Sequence, residues 1–239
     1  MQGGPPAGPP GMAPPVPRPT PELELDTLFR LDGKRALLVG GYGGIGEVTT
    51  RLLALHGADV ADPEDVAALV DGARERFGQV EILVNNAGVV SHRMLEDLDL
   101  EEWRRVIDTN LTALYLVTKG VVEVMPAGGS VIIVGSAVAT RGMPARAHYA
   151  SSKAGAIGFM RALCKELGPR GIRVNLIAPG IIETDQVAGL TEEGAARYAG
   201  LAALHRLGSP DEIAGAALFL ASDLASFVSG VTLNVDGGI

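Results

Sequence analysis

The stretch Val39-Gly40-Gly41-Tyr42-Gly43-Gly44-Ile45-Gly46 lies between an apolar run at 35–39 and a helical pattern at 47–56. That placement makes it a strand-to-helix turn. At Gly44, Ile45 and Gly46 the first N–H groups of the helix have no partner within it, and the helix dipole adds positive character there. Such a start favours a diphosphate, and the missing side chains let phosphates approach the backbone. A glycine cluster also makes an ordinary turn, so the motif takes its meaning from its surroundings.

Outward from the turn, strands and helices alternate. Apolar runs at 35–39, 81–84, 130–135, 172–177 and 231–235 read as strands. Helical patterns occupy 47–56, 62–77, 100–125, 148–167, 191–204 and 210–221. At the second of these Asp62 caps, Pro63 takes the first helical position and Glu64 favours the first turn. The order predicts an α/β fold with a doubly wound parallel sheet and helices on both faces. The strands are mostly apolar, which fits burial on both sides. Residues 1–21 hold nine prolines and one charge, so a disordered or polyproline-like tail is expected there. Residues 22–30 read as a linker and 31–239 as a single domain.

Composition narrows the function. Lys and Arg number 20 against 28 Asp and Glu, a net charge of −8, which argues against general binding of nucleic acid or anionic membrane. The one cysteine, Cys164, excludes an internal disulfide framework and a multi-cysteine metal site. Histidines at 56, 92, 148 and 205 show no metal-ligand spacing, so no metal is expected. No apolar run approaches the roughly 20 residues of a membrane span, and no basic, then apolar, leader is visible. A cytoplasmic protein is expected.

Further motifs sit where a sheet presents ligands. Asn85-Asn86-Ala87-Gly88 follows the second strand, at its C-terminal end. Tyr149 and Lys153, four apart, share a helix face. Ser136 lies just past the third strand, and Pro179-Gly180 ends the fourth, with Thr184 close behind. Together these resemble the short-chain dehydrogenase/reductase family from residue 31 to 239, in particular its 3-oxoacyl-carrier-protein reductase-like branch. Gly40, Gly44 and Gly46 resemble its phosphate turn. Asn85–Gly88 resembles its Asn-Asn-Ala-Gly. Asn110, Ser136, Tyr149 and Lys153 resemble its catalytic tetrad.

The resemblance implies a Rossmann-like, nicotinamide-dependent oxidoreductase of the EC 1.1.1 type, acting on a small alcohol/carbonyl substrate. Tyr149 would be the general acid/base. An ordinary tyrosine, with a pKa near 10, is too weak a base at neutral pH, and a cation such as Lys153 one turn away would lower it. Lys153 would also hold the nicotinamide ribose, Ser136 would orient the substrate oxygen, and Asn110 would place a relay water. Gly40, Gly44, Ile45, Gly46, Asn86, Ala87, Gly88, Pro179, Gly180, Ile182 and Thr184 would complete the NAD or NADP site. The absence of an arginine in the glycine turn, and Asp59 or Asp62 nearby, lean towards NAD, although Asp62 reads better as the helix cap. Family members form homodimers or homotetramers through their two long helices, here 100–125 and 148–167. Asn85 is expected to bridge strands, His148 and Trp103 to pack, and Cys164 to be a buried small hydrophobe.

Two departures stand out. Val39 replaces the family's threonine. After Val60 one strand–helix–strand passage of roughly thirty residues is missing. The expected strand order is then 2-1-4-5-6, with a stub at 57–60 as the second strand. The alternative to an enzyme is a non-catalytic scaffold whose cofactor binding is impaired by the lost adenosine side. A flavin-mononucleotide binder, suggested by strand order alone, leaves the tetrad unexplained.

Overall fold

The computed structural model describes residues 31–40, 62–184 and 191–239. The tail at 1–21, the linker at 22–30, Gly44, Ile45, Gly46, the 47–56 helix and the 57–60 stub lie outside the described residues.

Five strands form one parallel sheet: β1 (Ala36–Val39), β2 (Ile82–Asn85), β3 (Ser130–Val134), β4 (Arg173–Pro179) and β5 (Thr232–Val235). They lie in chain order, with Val39 beside Asn85, Asn85 beside Ile133 and Pro179 beside Val235. All five predicted strands are present, shifted by at most two residues at an end. Alternate side chains point to opposite faces. Leu37, Val39, Leu83, Val131, Ile133, Val174 and Leu176 pack on one side, and Leu38, Ile82, Val84, Ile132, Val134 and Ile177 on the other. Each such fully buried side chain contributes about 1.5–3 kcal/mol, which is why β1, β2 and β3 are apolar on both faces, whereas β4 and β5 carry Arg173, Asn175, Thr232 and Asn234.

Helices cover both faces, as predicted. On the first lie α1 (Pro63–Phe77), α3 (Ala113–Val122) and α5 (Ala147–Leu167), through Val66, Val70, Leu114, Val117, Ala156 and Met160. On the second lies α7 (Pro210–Ala221), through Ile213, Ala217 and Leu220. Between β2 and α3 runs α2 (Leu100–Ile107), capped by Asp99, which accepts from Glu102 N at 2.8 Å. A short α4 (Val138–Arg141) and α6 (Glu192–Ala199) complete the helices described. Asp62 caps α1, accepting from Glu64 N at 2.7 Å and Asp65 N at 3.3 Å.

Two expectations change. The helix expected over 100–125 is interrupted by a π-helical turn, Asp108–Thr112, and ends at Val122. The helix expected over 191–204 begins after Thr191, whose hydroxyl accepts from Gly194 N at 3.2 Å. It ends at Ala199, because Gly200 follows and favours termination. No helix among the described residues is long and apolar enough to cross a membrane.

Candidate active site

The C-terminal ends of β1, β2 and β3 bring the predicted residues to one edge of the sheet. Gly40 leaves β1 with φ +87°, and a Cβ there would lie 2.4 Å from Ala87 N, so only glycine fits. Ala87 N and Asn86 N both donate to Val39 O at 2.9 Å, and Asn86 Nδ2 donates to Gly40 O at 2.7 Å. The Asn-Asn-Ala-Gly loop is thereby stitched to the start of the glycine turn. Asn85 turns inward and donates to Thr118 Oγ1 at 3.1 Å. Its partner is on helix α3 rather than a neighbouring strand, because the helix packs on that face of β2.

Asn110 stands on the π-helical turn and is 4 % exposed. The extra residue of such a turn re-aims a side chain, a device common at functional sites. Here Asn110 Oδ1 accepts from Val89 N at 2.8 Å, and Nδ2 donates to Val89 O at 2.9 Å and Ser152 Oγ at 3.1 Å. Ser152 spends its one proton on Tyr149 O at 2.8 Å, so it faces Asn110 as an acceptor and fixes the amide's orientation. A Cβ at Gly88 would sit 3.2 Å from Asn110 Oδ1 and 3.3 Å from Lys153 Nζ, so a side chain at 88 would crowd both.

Ser136, two residues past β3, is buried, and its hydroxyl accepts from Val138 N at 3.2 Å. Tyr149 and Lys153 share one face of α5, with Lys153 Nζ 5.8 Å from the Tyr149 ring centroid. Lys153 is 5 % exposed, and burial pulls its ammonium down to about 8. Among the described residues Nζ has one acceptor, Val134 O at 3.0 Å, although an ammonium carries three donors. Burial pushes the Tyr149 phenol above its usual range, while Ser136 and then Arg146 pull it down. The i, i+4 spacing assigned the lowering role to Lys153. In the structure the neighbouring cation with that effect is Arg146, and desolvation outweighs it.

The second half of the predicted site lies beyond β4. Gly180 follows Pro179 and passes close to the end of β5, where a Cβ would lie 2.7 Å from Asp236 Cα. Ile182 pairs with Gly208 and is buried, and Thr184 follows on the same loop.

Three residues near the site were not legible in the sequence. Arg146 precedes α5, with its Cζ 5.9 Å from the Tyr149 ring centroid and Nη2 2.9 Å from His92 Nε2. Arginine cannot accept, so Nε2 is bare and neutral His92 carries its proton on Nδ1. His148, expected to pack, is fully buried and also hydrogen-bonded: Ser91 Oγ lies 2.7 Å from its Nε2 and donates to Glu102 Oε1. Arg105 and Ser91 hold the Glu102 carboxyl down at about 2, so Glu102 only accepts and His148 Nε2–H must donate to Ser91. This leaves His148 Nδ1 buried without a partner. These pairings join positions 54 and 57 apart in the chain, which no local pattern announces. Trp103 is half-buried on α2. Cys164 is half-buried rather than buried, with its Sγ donating to Arg161 O at 3.2 Å.

Comparison with known proteins gives consistent relatives. A family model described as Enoyl-(Acyl carrier protein) reductase matches residues 45–239. The 3-oxoacyl-[acyl-carrier-protein] reductase FabG of Escherichia coli K12 is 37 % identical over 241 residues, covering 88 % of this chain and 99 % of the relative. The same enzyme of Thermotoga maritima is 35 % identical over 244 residues, again with 88 % and 99 % covered. Since 88 % of 239 residues is about 210, about thirty positions of the Escherichia coli protein have no counterpart here, the size of the passage missed in the sequence. Among solved structures, a Brucella melitensis protein titled short-chain dehydrogenase/reductase SDR:Glucose/ribitol dehydrogenase superposes with a TM-score of 0.82 at 31 % identity, covering 86 % of this chain and 96 % of that one.

Proposed function

This chain belongs to the short-chain dehydrogenase/reductase family, and from that premise we propose that Tyr149 is the general acid/base in hydride transfer between an alcohol/carbonyl substrate and a nicotinamide cofactor. One observation carries the reading. Lys153 is a buried ammonium with a single acceptor among the described residues, one helical turn from Tyr149. Burying a cation with unpaired donors is costly unless a ligand supplies acceptors, and the two hydroxyls of a ribose fit that need. When bound, the nicotinamide supplies or accepts the hydride.

The chain's own residues do the rest. Ser136 donates to the substrate oxygen and orients the carbonyl beside the phenol. In reduction Tyr149 gives its proton to that oxygen, and in oxidation it takes one back. The Asn110 side chain is committed to three hydrogen bonds, so a relay water held there would rest on its backbone carbonyl. Gly40, Asn86, Ala87 and Gly88 keep the loop close to the cofactor. Gly44, Ile45 and Gly46 take the diphosphate, and Pro179, Gly180, Ile182 and Thr184 border the carboxamide end. Asp62 is spent on the α1 cap, which removes one support for a preference for NAD over NADP.

The relatives are 3-oxoacyl-[acyl-carrier-protein] reductases, which makes a 3-oxoacyl compound the first substrate class to assay. A homodimer or homotetramer through α3 and α5 follows the family habit, and Tyr115 on α3 is 45 % exposed there. Light scattering on the full chain should give at least twice its 24.7 kDa, and a monomer mass would refute this. The gap of about thirty positions favours a second reading, a scaffold with impaired cofactor binding. Turnover of a 3-oxo substrate that is lost in Tyr149→Phe, with cofactor binding retained, supports the enzyme. Cofactor binding too weak to saturate in a folded chain supports the scaffold.

A further inference from the structure

Arg146 is the cation that the mechanism above leaves unused. It is half-buried, and no carboxylate among the described residues lies within ion-pair distance of it. Its Nη2 donates to a neutral ring, His92, and its Nε is buried without a partner among the described residues. A guanidinium with its Nε edge buried and unpaired beside a reacting group is placed to receive an anion.

The backbone holds it there under strain. Ala145, just before it, has φ +60°, a conformation unusual for alanine. Ala145 O accepts from Arg93 N at 2.9 Å, which ties this turn to the loop that carries Ser91 and His92. Ser91 is in turn fixed by His148 and Glu102. Two chain segments therefore converge to place one guanidinium 5.9 Å from the Tyr149 ring. Backbone outliers of this kind concentrate at functional sites, and here the outlier adjoins the residue with unmet hydrogen bonds.

We propose that Arg146 sets substrate choice by pairing with a carboxylate carried close to the reacting carbonyl, so that free oxo acids and their hydroxy acids are preferred over neutral esters. Arginine suits this task because its planar fork binds a carboxylate through two hydrogen bonds. In reduction a hydride reaches the carbonyl carbon and the Tyr149 proton reaches its oxygen. Oxo acid, reduced nicotinamide and a proton become hydroxy acid and oxidised nicotinamide, and the carboxylate leaves unchanged on Arg146. The proposal rests on the oxidoreductase reading and narrows it.

The test uses the full chain, with 3-oxobutanoate and its methyl ester as paired substrates. In wild type the ratio of kcat/KM, acid over ester, should exceed one. In Arg146→Gln that ratio should fall at least tenfold, mostly through the KM of the acid, and Arg146→Lys should recover part of it. An unchanged ratio overturns the proposal, whatever happens to the absolute rates, because an effect through Tyr149 alone would act on both substrates equally. A second arm needs no turnover: binding of 3-hydroxybutanoate followed by saturation-transfer NMR. Binding lost in Arg146→Gln by a chain without activity would keep the anion site and reject the oxidoreductase. No binding to wild type, or equal binding to both, overturns the anion site.

Discussion

Replacing Asn110 by alanine removes three hydrogen bonds, at 2.8, 2.9 and 3.1 Å, between the π-helical turn, the loop after β2 and helix α5. Each contributes about 1 kcal/mol net, and a buried group left unpaired costs about 1–3 kcal/mol. Val89 is half-exposed and regains water, whereas Ser152 is fully buried and loses its donor outright. The predicted loss is therefore about 2–4 kcal/mol. For a chain of this size that lowers Tm by roughly 4–16 °C. Asn110→Asp should be worse than Asn110→Ala. Ser152 and Val89 O both face residue 110 as acceptors, and an aspartate would aim negative oxygens at them. Urea unfolding followed by the fluorescence of Trp103, the one tryptophan, measures all three proteins. A difference below about 0.5 kcal/mol for Asn110→Ala, or a more stable Asn110→Asp, would refute the clamp.

His148 should make the fold sensitive to acid. Burial holds its folded-state pKa below the ordinary 6.5, so stability is complete above that value and falls as pH drops through it. The slope from one such group is at most about 1.4 kcal/mol per pH unit. His92 has the same sign, and Ser91, Glu102, Arg105 and Arg93 surround His148. His148→Asn should flatten the fall in Tm between pH 7.5 and 5.5, and parallel curves would refute the assignment. Gly40→Ala and Gly33→Ala share a positive φ, but only at Gly40 would the new Cβ meet backbone, at 2.4 Å. Both should lose about 1–2 kcal/mol for the backbone conformation, and only Gly40→Ala should lose more stability through the clash and also lose nicotinamide affinity. Equal cofactor binding by the two would contradict the role given to that turn.

Much of the fold was legible because its signals are local. Short runs rich in apolar residues announced the five strands, and Asp62-Pro63-Glu64 announced a helix start. Asn110, Ser136, Tyr149 and Lys153 were legible as an ordered set, and the structure gathers them at one sheet edge. The π-helical turn was not readable, because Asp-Thr-Asn-Leu-Thr continues a helical pattern equally well. Gly200 stops α6 early, although the apolar residues beyond it keep a helical spacing. Arg146 and His92 meet only through tertiary packing, so neither stood out in the chain. Lys153 was expected to lower the Tyr149 pKa from spacing alone. Spacing does not report burial, and burial is what raises the phenol and lowers the ammonium.

The most direct test of the account is a fluorescence titration of the folded full chain with NADH and, separately, NADPH, with Lys153→Met beside it. Saturable binding in the micromolar range, weakened at least tenfold in Lys153→Met, is the predicted result, and the tighter of the two ligands reports the 2′ preference. Failure of the folded wild type to bind either ligand, or equal binding by wild type and Lys153→Met, would contradict the claim that this buried ammonium waits for a nicotinamide ribose.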